Sequence, residues 1–331
     1  MTSTNTVPVT TDAVVDGSTP PMPVARFNIN FMALRKSVAY FSIVCCLLSI
    51  VTLGFKGLHY GLDFTGGVVL ELEYHQDANI DEIRQQMKDS QYEGAVVIPY
   101  GSVKNVLIRL PPQNADAQFT EKVLATLGGA DKLHVKRTDI VGAQVGDDLK
   151  GQAILAVVIA MFAVLIYVTV RFEKKFATGA VVGLLHDVLV ILGLFSFFGW
   201  DFDLTVLAAI LAIIGYSLND SIVVADRIRE NFRKMRHLNA EQMVDFSINQ
   251  TLDRTILTSL TVWLVVLALY LVGGEALRGF SLALLIGVFV GTYSSIYVAT
   301  NVALTMNVTR EDFIPTRVET EADHDLSADM P

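Results

Sequence analysis

Six apolar runs divide this sequence, and they restrict its possible folds more than any other feature does. Each run is long enough for an α-helix to cross the roughly 30 Å hydrocarbon core of a bilayer. With 52% hydrophobic residues, the chain is also more apolar than an ordinary soluble protein. The sequence therefore predicts an α-helical polytopic membrane protein with six transmembrane helices. The runs are 38–55, 153–170, 176–198, 204–224, 255–272 and 280–306.

Lysine and arginine residues in the short connections predict the orientation of these helices. They are concentrated on the side of the N-terminus, at 35–36 and within 171–175 and 227–236. The short connections on the opposite side, 200–203 and 273–278, contain a single arginine between them. Cytosolic loops carry the excess of basic residues, so both termini are predicted to be cytosolic. The long insertion after the first helix is then on the outer side.

That insertion, residues 58–150, has the length of a separate domain. Alternating apolar residues indicate strands, and Asn79 followed by Glu82 resembles a capping box at the start of a helix. The order β-α-β-β-α-β predicts one α+β ferredoxin-like domain between helices 1 and 2. Its sequence contains no recognisable metal-ligand cluster or nucleophile arrangement, and the fold by itself assigns no activity. The predicted strands are 63–74, 95–98, 103–110 and 133–141, and the predicted helices begin at 79 and at 117.

The remaining segments are polar and complete the domain plan. Residues 1–37 are predicted to be a disordered cytosolic N-terminus plus a short interfacial segment, and 307–331 a disordered acidic cytosolic tail. Helix 1 is expected at 38–57 and helices 2–6 within 151–306. The acidic exterior argues against nucleic acid as a partner. Cys45 and Cys46 are adjacent within an apolar run and cannot form a useful disulfide.

Small residues recur at a spacing of four in two of the predicted helices. Such spacing lets helix backbones approach closely, either inside the bundle or at a dimer face. We favour packing inside the bundle. The residues are Gly179 and Gly183 in the third helix and Gly287, Gly291, Ser295 and Ala299 in the sixth.

Four ionisable residues lie well inside the apolar runs: His186, Asp187, Asp220 and Arg254. Such residues cost at least ~2.5–3.5 kcal/mol on insertion scales and are functional candidates by default. At ~1.5 Å of helical rise per residue, Asp220 lies ~24 Å and Arg254 ~27 Å from the outer ends of their helices. The two helices are antiparallel neighbours, so the carboxylate and the guanidinium are expected at one depth.

Two interpretations of this pair remain open. It is either a static ion pair holding two helices together, which is weak evidence for stability, or a titratable site in an ion path. We favour the second, because burial and a nearby arginine act oppositely on a carboxyl and small movements would change its protonation. Ser217, Asn219 and Ser221 are expected to orient Asp220 or to help ligate a cation.

Asp187 is the candidate for a second member of such a relay, with His186 a weaker one. Asp226 and Arg229 are three residues apart at the predicted cytosolic end of the fourth helix, and they are expected to form an ordinary surface ion pair. An intramembrane aspartyl protease using Asp187 and Asp220 would need two carboxylates that share a proton. Arg254 would hold Asp220 ionised, and the Gly-x-Gly-Asp context of one such family is absent. The chain is therefore not expected to be an enzyme.

Several of these motifs resemble the SecD/SecF family. Residues 61–67 (GLDFTGG) are similar to its periplasmic signature, and 215–231 to its fourth-helix motif. Further similarities lie at 185–187, 254–259 and 279–297, so that the resemblance covers about 27–310. The motif residues carried over in this way are Gly61, Asp63, Gly66, Gly67, Gly215, Asp226, Arg229 and Asn231.

The resemblance implies a function and a set of partners. Members pair with SecD in the bacterial inner membrane, form a pseudo-symmetric bundle related to resistance-nodulation-division transporters, and assist the SecYEG channel and the SecA motor, often with YajC and YidC. They use an H⁺ or Na⁺ gradient to draw unfolded preprotein into the periplasm, without a cofactor. The residues matching Asp220 and Arg254 then belong to the ion path. The alternatives are a half-transporter for small molecules or lipids, and a passive scaffold.

Overall fold

Long helices make up most of the molecule. A computed structural model describes residues 27–90, 92, 94–111, 119–129, 131–236 and 238–313, so the predicted disorder of 1–26 and 314–331 lies outside the described residues. In chain order the elements are α1 Arg35–Lys56, β1 His59–Tyr60, α2 Leu62–Thr65, β2 Gly67–Tyr74, α3 Ile80–Asp89, β3 Val96–Tyr100, β4 Ser102–Leu110, α4 Phe119–Thr126, β5 Leu133–Val141, α5 Ala143–Arg171, α6 Lys174–Phe198, β6 Asp201–Phe202, α7 Leu204–Lys234, α8 Ala240–Val272 and α9 Arg278–Thr305.

Six of these helices, α1 and α5 to α9, are long and apolar enough to cross a membrane, which confirms the predicted number. Three of them extend well beyond their apolar runs. Helix α5 begins at Ala143, eight residues before the predicted start of the second transmembrane helix at residue 151. Polar residues such as Gln144 and Lys150 are good helix formers outside the hydrocarbon, and no proline interrupts the helix. The unit before α5, residues 58–142, is called the outer unit after its predicted side of the membrane, and it continues into the bundle through this one helix.

Helices α6, α7 and α9 form the buried centre of the bundle, whereas α1, α5 and α8 leave most of their apolar side chains exposed. Small residues permit the close contacts. A Cβ atom added at Gly179 would collide with the carbonyl oxygen of Ala299, and one at Gly287 with the side chain of Ile213. The predicted small-residue faces therefore serve packing within the bundle.

The outer unit is a four-stranded sheet with the order β3-β4-β2-β5, in which every neighbouring pair is antiparallel. Helices α3 and α4 contribute Ile83, Met87 and Val123 to its core, and alternate residues of the central strands complete it. The prediction that the first strand begins at residue 63 is wrong. Residues 62–65 form the short helix α2, which ends at Gly66 in a positive-φ conformation (φ 68°), and the strand starts at Gly67.

The segment before α1 packs against protein. Phe31 and Met32 are buried, and the Phe31 ring meets Tyr297 edge-on at 6.0 Å. Asn249 of α8 binds the backbone of Ile29 twice, accepting from its N–H and donating to its C=O, both at 2.8 Å. The expected interfacial segment is therefore fixed to the extension of α8 that precedes the apolar run.

The first residues of the predicted tail are also ordered. Residues 310–313 form a single 3₁₀ turn, and Phe313 is 1% exposed between the rings of Phe176 and Phe232. Lys175 Nζ lies 2.7 Å from Asp312 Oδ2. The prediction that disorder begins at residue 307 is therefore wrong for 307–313. Cys45 and Cys46 are free thiols on α1.

Candidate functional site

Asp220 is placed by the regular buried face of α7. The helix is started by Asp203, whose Oδ1 accepts from the N–H of Val206 at 2.9 Å. Ile213, Ser217 and Asp220 then follow at helical spacing on the side that faces the bundle. Asp220 is 2% exposed, and its Oδ2 has no hydrogen-bond partner in the described part of the chain. A buried carboxyl oxygen without a donor is costly, as expected for a group with a functional role.

Arg254 lies near this carboxyl but does not bind it. Its guanidinium is close enough to act electrostatically on Asp220, yet no salt bridge within 4 Å joins them among the described residues. Arg254 is exposed on the surface of the single chain. Its neighbour Thr255 is 2% exposed, and the Oγ1 of Thr255 has no hydrogen-bond partner among the described residues. The geometry therefore does not support a static Asp220–Arg254 pair.

Asp187 is the centre of a second, fully partnered cluster. It is 1% exposed, and its Oδ2 accepts from Ser217 Oγ at 2.6 Å and from Ser294 Oγ at 2.8 Å. Its Oδ1 lies 3.1 Å from Nδ1 of His186. The cluster joins α6, α7 and α9, and its donors suit an ionised carboxylate. It makes no hydrogen bond to Asp220 among the described contacts, so the shared proton that an aspartyl protease needs has no geometric support.

The expectation that Ser217, Asn219 and Ser221 serve Asp220 is not met. Ser217 donates instead to Asp187 of α6, and α9 approaches the Cβ of Ser217 closely at Gly291. Asn219 is exposed on the surface of α7, and Ser221 is buried beside a crevice that also involves Ser295 and Thr300.

Two polar contacts were missed from the sequence. Ser294 belongs to the motif around 291–297, but nothing in its spacing indicates that it reaches Asp187. One turn before Asp220, the hydroxyl of Tyr216 donates to Ser259 Oγ at 3.0 Å, and Ser259 Oγ lies 2.7 Å from Thr292 Oγ1. This second chain of hydroxyls links α7, α8 and α9 beside the Asp220 site.

The predicted surface pair between Asp226 and Arg229 is wrong. Asp226 lies 3.2 Å from Arg171, and Arg229 lies 3.3 Å from Glu173. The α5–α6 connection passes beside the end of α7, so both side chains bind it instead of each other. Two partly exposed ion pairs therefore connect the second half of α7 to the α5–α6 connection.

Asn231 lies beyond these pairs and is 1% exposed. Its Nδ2 donates to Ser247 Oγ at 2.8 Å and to Gln250 Oε1 at 2.9 Å, which ties α7 to α8. Gly215 of the same motif is exposed, and a Cβ atom added there would meet nothing within 4 Å. None of the described residues covers this side of α7.

The glycine-rich motif lies at the other end of α7. The N–H of Gly61 donates to the carbonyl oxygen of Phe202 at 2.8 Å, and the N–H of Leu204 donates to Asp63 Oδ2 at 3.0 Å. Gly66 and Gly67 then turn the chain into β2, and a Cβ atom at Gly67 would collide with the carbonyl oxygen of Leu110. The motif therefore joins the outer sheet to the start of the helix that carries Asp220.

Comparison with known proteins gives matches that include both α7 and the glycine-rich motif. The family described as protein export membrane protein SecD/SecF, C-terminal, matches residues 120–309, and the SecD/SecF GG motif matches residues 51–78. The protein translocase subunit SecF of Pseudomonas aeruginosa is 45% identical over 302 residues, covering 89% of this chain and 97% of that protein. The subunit SecF of Haemophilus influenzae is 43% identical over 310 residues, covering 93% and 94%.

A solved structure is also similar. The crystal structure of SecDF, a translocon-associated membrane protein from Thermus thermophilus, matches with a TM-score of 0.78 at 36% identity. The match covers 87% of this chain and 40% of that one, so this chain corresponds to less than half of the SecDF polypeptide. A super-membrane-facing form of SecDF matches with a TM-score of 0.65.

Proposed function

The chain belongs to the SecD/SecF family of protein-export membrane proteins, and we propose that it is the SecF-type accessory subunit of the Sec translocation machinery. In this proposal it has no catalytic activity of its own. It pairs with SecD and uses an H⁺ or Na⁺ gradient to drive late preprotein translocation and release. SecYEG, SecA, YajC and YidC are the further partners that the family relationship suggests.

The observation that carries the ion-coupling proposal is the isolated carboxyl of Asp220. It is buried inside a membrane helix with an oxygen that no described group satisfies, and Arg254 is near without binding it. A carboxyl held in this way changes its interactions when it gains or loses a proton or cation. In the proposed mechanism Asp220 is the carrier, Arg254 the switch, and Asp187, which Ser217 binds, a second relay position.

The proposed topology places both termini in the cytosol and the outer unit in the periplasm. The basic residues at 35–36, 171–175 and 227–236 support this orientation in the bacterial inner membrane. The strand order and the antiparallel pairing of the sheet support a ferredoxin-like assignment for the outer unit. Its substrate in this proposal is unfolded preprotein emerging on the periplasmic side.

The exposed face of α7 is the proposed contact with SecD. Ala208, Ala212, Gly215 and Asn219 follow one another at helical spacing and are exposed in the single chain. Arg254 is exposed as well, at a depth where contact with lipid costs several kcal/mol. A second helical bundle over this face would remove that cost and complete the surroundings of Asp220.

Gly215→Leu tests this contact. Since nothing lies within 4 Å of the position, the single chain should fold normally. Its complex with SecD should weaken at least about tenfold, because a leucine side chain prevents close approach of a facing helix. Co-purification after mild solubilisation measures this. Gly151→Leu on α5, where a Cβ atom also meets nothing, is the matched control and should bind SecD normally. Equal recovery of SecD with both variants would exclude this face.

Preprotein transport into inverted membrane vesicles tests the function itself. Vesicles that contain the chain and SecD should complete late translocation faster than vesicles without them, and dissipating the ion gradient should remove the difference. A contribution that survives loss of the gradient would indicate a passive scaffold instead. Efflux of a small molecule or lipid without any effect on preprotein release would indicate a half-transporter.

A further inference from the structure

The start of α7 is held by two carboxylates, and only one of them is local. Asp203 Oδ1 accepts from the N–H of Val206, which is sufficient to cap the helix. Asp63 Oδ2 accepts from the N–H of Leu204 at 3.0 Å, across 141 residues of sequence. The second bond therefore adds a long-range link where a local cap already exists.

The chain on either side of Asp63 strengthens this link. Strand β1 pairs in parallel with β6, the strand directly before α7, and the Gly61 N–H bonds the carbonyl oxygen of Phe202. The ring of Phe64, 2% exposed, stacks on Phe202 with centroids 5.8 Å apart. A Cβ atom at Gly61 would lie 2.8 Å from the Cβ of Asp203, so glycine is needed for this approach.

The outer sheet makes a contact of its own with the same loop. Arg109 of β4 binds Asp201 through both terminal nitrogens, at 3.3 and 2.7 Å. Arg109 stands opposite Val69 of β2, the strand into which the chain continues after Asp63. Both central strands of the sheet are thus connected to the residues that begin α7.

Helix α5 supplies the other connection between the outer unit and the bundle. It leaves β5 directly, and the Gly66 N–H lies 3.0 Å from where a Cβ of Gly146 would be. At its far end Arg171 binds Asp226 of α7. Helix α7 is therefore attached to the outer unit at its start and to α5 at its end, and the stiff segment between these attachments carries Asp220.

We propose that Asp63 is a positioning residue that transmits movement of α7 to the outer sheet. This inference rests on the proposed role of Asp220. A change at Asp220 that shifts or rotates α7 displaces Leu204, and Asp63 passes that displacement through Gly66 and Gly67 to β2. Arg109, through its bonds to Asp201, passes the same displacement to strand β4.

The test measures the distance between two spin labels in the complex with SecD, reconstituted in vesicles. One label replaces Glu121 on the exposed side of α4 and the other Val272 at the outer end of α8, with Cys45 and Cys46 changed to serine. The wild-type distance distribution should shift between acidic and alkaline medium. Asp63→Ala should abolish the shift and reduce gradient-dependent export at least about fivefold, the lower range of typical coupling factors. Asp63→Asn keeps an acceptor for the Leu204 N–H and should restore both.

A second readout separates coupling from stability. Reaction of Asp220 with a hydrophobic carbodiimide should keep its wild-type pH profile in Asp63→Ala, because the carboxyl still titrates while the sheet no longer responds. A wild-type distance shift in Asp63→Ala would overturn the inference. If that variant does not assemble, Arg109→Ala decides, with a reduced shift expected and an unchanged one contradicting the link. A different result would contradict the proposed function itself, namely gradient-dependent export that is retained in Asp220→Asn.

Discussion

Replacing Asp220 with asparagine is expected to reduce gradient-dependent export to the level of vesicles that lack the chain. Asparagine keeps the shape of the side chain but can neither carry a proton nor bind a cation by charge. One charge crossing 100 mV supplies ~2.3 kcal/mol, and without a carrier none of it reaches the bundle. The free energy of unfolding should stay within about 1 kcal/mol or rise, because the buried Oδ2 has no donor to lose.

The measurement is late-stage preprotein translocation in vesicles with an imposed gradient, together with recovery of SecD and the melting temperature. Glu230→Gln is the matched control. It makes the same change from carboxylate to amide on the same helix, at a half-exposed side chain whose ion pairs with Arg227 and Lys234 are each worth at most about 1 kcal/mol. The control should export normally. Wild-type export from Asp220→Asn with SecD bound would remove Asp220 from the mechanism.

The helices and the burial of Asp220 were predictable from the sequence, because a bilayer imposes strong rules. Backbone groups must be satisfied inside the segment, so apolar runs of sufficient length form helices. Helical rise then gives the depth of each residue along its helix axis. The common depth expected for Asp220 and Arg254 agrees with their proximity in the fold. Depth does not give rotation or side-chain direction, and the direct pair does not form.

The wrong predictions concern contacts that depend on tertiary packing. Ser217 serves Asp187 because the packing of the bundle brings α6 against α7, and Asp226 and Arg229 bind the α5–α6 connection that crosses beside them. Neither approach has a local sequence signal. The start of α5 was predicted too late in the sequence. The beginning of an apolar run marks where a helix enters the membrane, whereas the helix itself extends to the residue that caps its backbone.

The Asp187 cluster yields the largest expected effect on stability. Changing Ser217 and Ser294 together to alanine removes both hydroxyl donors of Oδ2 and leaves a buried charge with only His186 beside it. Hydrogen bonds to charged groups contribute about 1.5–3 kcal/mol each, so the double variant should lose about 3–6 kcal/mol of unfolding free energy. Denaturant titration in detergent micelles measures the loss.

A matched background identifies the cause of that loss. With Asp187→Leu already present there is no charge to satisfy, and the same two serine changes should then cost about 1 kcal/mol or less. Ser196→Ala is the control for a buried serine bonded to a neutral group, the carbonyl oxygen of Gly57 at 2.7 Å, and should also cost about 1 kcal/mol. Equal losses with and without Asp187 would mean that the serines matter through helix packing. A large loss that disappears with Asp187 would mean that this cluster holds an ionised carboxylate in the bundle. Its Ser217 lies one helical turn before Asp220, whose Oδ2 has no partner among the described residues.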